Sequence, residues 1–186
     1  MKQKIKSFGN LDLYLMQGDL TQVPVDAIMT AINSGAMWFG GIDGAIQRAA
    51  GTRYHDQAMQ NMPLKNLDVV DAKGDSDNHA GMFDNVIFVV DNLESSLDQV
   101  VYKGLEAAHN IGYETLAVPA IRMGVMQGVV EKTPEETVRK IGEGVLNFLE
   151  VYGDKTSLKE LTFVVYNDPN SQRLISEGIS LLPIKN

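Results

Sequence analysis

Four stretches of this chain are apolar on nearly every consecutive residue rather than on alternate ones: Ala27–Ile32, Val86–Val90, Thr115–Ala120 and Leu161–Tyr166. A strand of that kind has to be covered on both faces, which is the situation of a parallel sheet buried between helices. Segments with helical spacing separate these runs, and strands alternating with helices build βαβ units. The sequence therefore predicts an α/β fold in which a mixed, mostly parallel central sheet lies between helical layers. Ligands of such folds sit beyond the carboxyl ends of the strands. Asn33, the 121–128 loop and Tyr166 all follow strands, so they should meet on one rim.

The remaining punctuation is consistent with this frame. Ile5 to Phe8 and Leu11 to Met16, split by Gly9-Asn10, read as paired strands at a sheet edge. Ile42, Ala45, Ile46 and Ala49 recur at i, i+3, i+4 and i+7, giving one inward face to a helix that opens at Asp43. A further helical stretch runs from Thr52 to Met62, before Pro63, and Leu67 to Ala72 reads as a strand. Lys73 to Asp84 is a polar loop or hairpin. Ser96 with Gln99 has the spacing of a capping box ahead of a helix that stops before Gly112. Thr133-Pro134-Glu135-Glu136 places N-cap, N1 proline and N3 glutamate in order, with Gly153 as the stop. A last short helix is expected from Pro169 to about Glu177.

Composition narrows the function. The chain has 186 residues, enough for one domain with a sizeable core, and residues 1–186 are expected to form a single domain. It contains no cysteine, and its three histidines, at 55, 79 and 109, show no metal-ligand spacing and are expected at the surface. No metal and no cofactor are therefore expected. A net charge of −8 speaks against a general nucleic-acid binder. No run of about 18 apolar residues occurs, and the N-terminus lacks a signal-like core, so no membrane partner and a cytoplasmic location are expected.

The most informative segment is Gly18 to Gly51, in which a buried strand passes through a glycine-containing loop into a helix N-terminus. Unpaired backbone N–H groups gather at such a place and suit a phosphate. It is neither a dinucleotide fingerprint nor a P-loop, because the required glycine spacing and Gly-Lys-Ser/Thr are missing. Gly18-Asp19-Leu20-Thr21, Asp26-Ala27-Ile28, Thr30-Ala31-Ile32-Asn33, Gly40-Gly41-Ile42-Asp43-Gly44-Ala45-Ile46 and Ala49-Ala50-Gly51 follow one another in a recognisable order. This order and spacing resemble the macro domain family, which implies the three-layer α/β/α macro-domain fold and ADP-ribose or an ADP-ribosylated substrate as partner.

Several residues then have two readings each. Asp19 by itself is a turn or cap residue, whereas the resemblance implies a hydrogen bond from the adenine amino group. Asn33 either closes a turn or, by resemblance, holds the distal ribose. Asp43 is either placed by the helix dipole or, by resemblance, orients or deprotonates the attacking water. These two are the candidate catalytic residues. Leu20, Gly40, Gly41, Ile42, Gly124, Val125 and Met126 line the implied nucleotide and phosphate loops. Arg122 reads either as a diphosphate contact or as a surface ion pair, and Tyr166 as packing or as a stacking platform for adenine.

The chain also departs from the family pattern. Thr30 replaces the first asparagine, Phe39 the first loop glycine, Gln47 a frequent histidine, Arg122 a small residue and Met126 an aromatic. Met37, Trp38 and Phe39 would form either a lid or an obstruction. The resemblance implies binding of ADP-ribose or a derivative and its hydrolysis from a modified substrate, as a mono-ADP-ribosyl hydrolase or O-acetyl-ADP-ribose deacetylase, without a metal. The alternatives are a non-catalytic ADP-ribose reader and a macro-like interaction module without the nucleotide. Oligomeric state is not legible.

Overall fold

The computed structural model describes residues 2–36 and 41–183. Met37, Trp38 and Phe39, expected to form either a lid or an obstruction, and the loop glycine Gly40 lie outside the described residues. Seven strands and five helices are formed among the described residues. In chain order they are β1 (Lys2–Phe8), β2 (Leu11–Gln17), β3 (Val25–Ile32), α1 (Gly41–Ala50), α2 (Arg53–Gln60) and β4 (Val69–Ala72). There follow β5 (Phe83–Val90), α3 (Leu97–Ile111), β6 (Thr115–Pro119), α4 (Pro134–Tyr152), β7 (Glu160–Val165) and α5 (Pro169–Ser180).

The strands make one sheet in the order β1-β2-β7-β6-β3-β5-β4. Neighbours from β2 through β5 run parallel, while β1 and β4 add to the two edges in antiparallel sense. Alternate residues of the central strands feed two cores. Met29, Ile87, Leu116 and Phe163 point to the face covered by α3, α4 and α5. Ile28, Ile32, Phe88, Ala117 and Val164 point to the face covered by α1 and α2. This is the double burial that the consecutive apolar runs demand.

Two close approaches set the helical layer. A Cβ on Gly144 of α4 would come within 2.7 Å of the Asp98 carbonyl and 2.8 Å of Val101 Cβ, so only glycine lets α4 lie this near α3. The Thr133 cap forms as expected, its Oγ1 accepting from Glu136 N at 3.1 Å. The Ser96 capping box does not. Ser96 is the N-cap of α3, but its hydroxyl is spent on Asp98 and makes no cap bond to the backbone. Gly112, with φ of 96°, ends α3 in the left-handed region that favours glycine. Gly153 at the end of α4 is right-handed instead.

Candidate active site

The carboxyl ends of the parallel strands share one rim, and two adjoining depressions lie on it. One, of about 220 Å³, is bounded by Thr30 and Ala31 of β3, Gly41 and Ile42 of α1, and the loop after β6 from Ala120 to Met126. The other, of about 190 Å³, lies between Gly18, Leu20, Ile42, Gly124, Tyr166 and Asp168. Ile42, Pro119, Ala120 and Gly124 belong to both, so the two halves form one cleft.

Donors face each other in the first half. The opening N–H groups of α1 at Gly41, Ile42 and Asp43 have no intrahelical acceptor, as at any helix start. On the opposite wall, the loop bonds Ile121, Met123 and Gln127 N–H to its own carbonyls and leaves those of Gly124, Val125 and Met126 unbonded among the described residues. Gly41, Ile42, Gly124, Val125 and Met126 line the same depression, and unbonded amide N–H groups gathered in one place suit an anion.

The second half suits a flat ring. Tyr166 follows β7, is 78 % exposed and borders the depression with its side chain free of packing duty. Asp19 sits behind Leu20. Its Oδ1 accepts from Thr21 N at 2.9 Å and from the Thr21 hydroxyl at 2.8 Å, capping a short turn, and Oδ2 remains for a further donor. Both readings of Asp19 are thus compatible in one side chain. Asp168, which caps α5 through Ser171, is held below the usual carboxylate range by the Ser171 hydroxyl and backbone.

Arg122 is in neither place that its sequence context suggested. Its residue is 5 % exposed, so it is not a surface ion pair. Nε and Nη2 fork onto Asp91 at 3.2 and 2.8 Å, Nη1 reaches Glu131 at 2.8 Å, and Nη2 also donates to Ser95 O at 2.8 Å. Nε, Nη1 and Nη2 are all engaged in this arrangement, Nη1 also lying 3.2 Å from the second Glu131 oxygen, so the guanidinium is committed to protein acceptors rather than to a diphosphate. Burial alone would lower its pKa, but the two carboxylates outweigh that and raise it. Glu131 in turn accepts from Leu97 N, and Asp91 from Leu93 N. The network therefore ties the loop after β6 to the end of β5 and the start of α3, while Arg122 and Asp91 form part of the cleft floor.

The candidate catalytic residues are also placed by local structure. Asn33 directly follows β3, and its Oδ1 accepts from Gly35 N at 2.9 Å. Asp43 lies in the first turn of α1 but is buried, with Oδ1 3.2 Å from His55 Nε2. His55 is 4 % exposed, against the expectation of a surface residue. His79 and His109 are half-buried, His79 bonded to Tyr54 and Gly81, His109 stacked on Tyr152. Sequence reasoning missed Asp91 and Glu131, whose only sequence signal is an acid just after an apolar run and another just before a helix cap. No group of three or more metal-capable side chains occurs among the described residues.

The structure is thus an α/β domain with one cleft on its strand rim. The chain is 29 % identical to an O-acetyl-ADP-ribose deacetylase of Escherichia fergusonii over 86 % of its own length and 91 % of that protein. It is equally similar, 29 % over 86 % of the chain and 93 % of the other, to a macro domain-containing protein of Listeria monocytogenes. The Trypanosoma brucei macrodomain, solved in complex with ADP-ribose, superposes with a TM-score of 0.77 at 19 % identity, over 95 % of this chain and 73 % of that one. No protein-family profile matches the chain. The fold is that of the solved macrodomains, and the chain is similar in sequence to a macro domain-containing protein and to O-acetyl-ADP-ribose deacetylases. No helix among the described residues is long and apolar enough to cross a membrane.

Proposed function

We propose that this macro domain binds ADP-ribose or an ADP-ribose derivative in the cleft and hydrolyses the bond that joins it to a modified substrate. The observation that supports this reading is that Gly41 and Ile42 at the start of α1 and Gly124, Val125 and Met126 of the loop after β6 line one depression, the latter three with backbone N–H groups unbonded among the described residues. In this reading adenine stacks on Tyr166 and donates its amino group to Asp19, while Asn33 meets the distal ribose. Asp43 orients and deprotonates water there. Phosphate charge is met by amide dipoles rather than by Arg122.

Calorimetry with ADP-ribose, AMP and oligo(A) tests the binding part, and release of acetate from O-acetyl-ADP-ribose tests the reaction. ADP-ribose alone should bind tightly. No heat with ADP-ribose at millimolar concentration would remove the reading altogether. A second reading, a reader that binds without turnover, is favoured by one feature: the Asp43 carboxylate is turned into the protein onto His55. Tight binding with no turnover of any ADP-ribose ester would decide for it.

A further inference from the structure

The carboxylate of Asp43 and the imidazole of His55 form a buried pair between α1 and α2. The residues are 6 % and 4 % exposed, and Oδ1 and Nε2 are 3.2 Å apart. Their alignment is poor, so that neither carboxylate oxygen and neither ring nitrogen has a hydrogen bond among the described residues. Phe88 of β5 covers the imidazole with ring centroids 5.0 Å apart, and no other charged group pairs with either residue among those described. A buried polar atom left unbonded costs about 1–3 kcal/mol, more when it is charged. Oδ2 is therefore an acceptor with no donor among the described residues. Gly41 and Ile42, in the same helical turn, line the cleft.

We propose that His55 is a positioning residue for Asp43. From α2 its Nε2 stands 3.2 Å from Oδ1 and fixes the carboxylate on that side, which leaves Oδ2 to accept from the water that attacks the bound derivative. Gln47 stands one turn along α1, where macro domains frequently carry a histidine, so in this chain the imidazole comes from a different helix. The inference rests on the hydrolase reading above. In the step it serves, the water oxygen bonds to the carbon under attack and its proton passes to the Asp43–His55 pair. The bond from that carbon to the leaving oxygen breaks, and the leaving oxygen takes the proton back. The pair ends as it began.

The test compares the wild-type protein with His55→Leu, His55→Gln and Asp43→Asn, reading ADP-ribose affinity by calorimetry and separating kcat from KM on O-acetyl-ADP-ribose. His55→Leu should lower kcat at least about tenfold with affinity for ADP-ribose within about twofold. His55→Gln should recover much of the rate, because its amide N–H reaches the place of Nε2–H. In the ligand-free protein, the imidazole nitrogen chemical shifts of His55 should move after Asp43→Asn, because the two side chains are 3.2 Å apart. Wild-type kcat in His55→Leu, or His55 signals indifferent to Asp43→Asn, would overturn the proposal. Should His55→Leu not fold, His55→Gln and the nuclear magnetic resonance comparison still decide. A wild-type protein that turns over no derivative sinks the hydrolase reading together with the role of His55. An active wild type with an unimpaired His55→Leu variant sinks the role of His55 alone.

Discussion

Replacing Arg122 by methionine should unsettle the protein more than any loss at its surface. The side chain is 2 % exposed, as are its partners Asp91 and Glu131 at 0 % and 2 %, so two carboxylates would be left facing each other without solvent. Breaking a buried pair by removing one member costs about 3–5 kcal/mol. At about 2–4 °C per kcal/mol for a chain of this size, the melting midpoint should fall by roughly 6–20 °C. The sign of the pH dependence follows from the same picture. Two stranded carboxylates are relieved by protonation in the folded state, so the folded variant takes up protons relative to the unfolded chain and gains stability as pH falls. Thermal unfolding followed by circular dichroism at pH 7.5 and pH 5 should show the gap to wild type narrowing in acid. Arg122→Lys keeps the charge but not the fork, and should fall in between. A drop below about 2 °C, or a gap that widens in acid, would refute the argument that this network holds the loop.

Other consequences can be measured directly. Tyr166→Ala should weaken ADP-ribose binding by about 1–3 kcal/mol, read by calorimetry, with little change in melting because the ring is exposed. Gly144→Ala forces a methyl onto the Asp98 carbonyl and Val101, and should cost about 1–3 kcal/mol in chemical denaturation. His79 is held below its ordinary value of 6.5, first by burial and then by Arg53. The unfolded chain therefore takes up that proton first, and the stability it contributes, complete above about pH 6.5, should fade as the solution is acidified. His79→Gln should flatten that part of a stability profile between pH 7 and 5.

The fold was legible because its signal is local and repeated. Consecutive apolar runs such as Val86–Val90 declare two covered faces, and Thr133-Pro134-Glu135-Glu136 declares a helix start, whatever the rest of the chain does. The cleft was legible for its backbone parts, since Gly41 opens α1 and Gly124 lies in the loop after β6, and both line it. What escaped was the side-chain pairing decided by tertiary crossing. Arg122 could not be matched with Asp91, 31 positions earlier, until β5 and β6 were laid on either side of β3. His55 escaped for a similar reason. It is a polar residue on a short helix of low apolar content, and its burial depends on Phe88 coming up beneath it.

The sheet order has a bearing on how the molecule behaves in company. Its outermost ribbons are the lysine-bearing β1 on one flank and the four-residue β4 on the other. Lys2 and Lys4 are tied to Glu160 and Asp12 along the first flank, and the second is too brief to template a lengthy partner. Lateral strand-on-strand stacking between copies is discouraged at both ends, so crowding should leave the apolar sheet interior shielded.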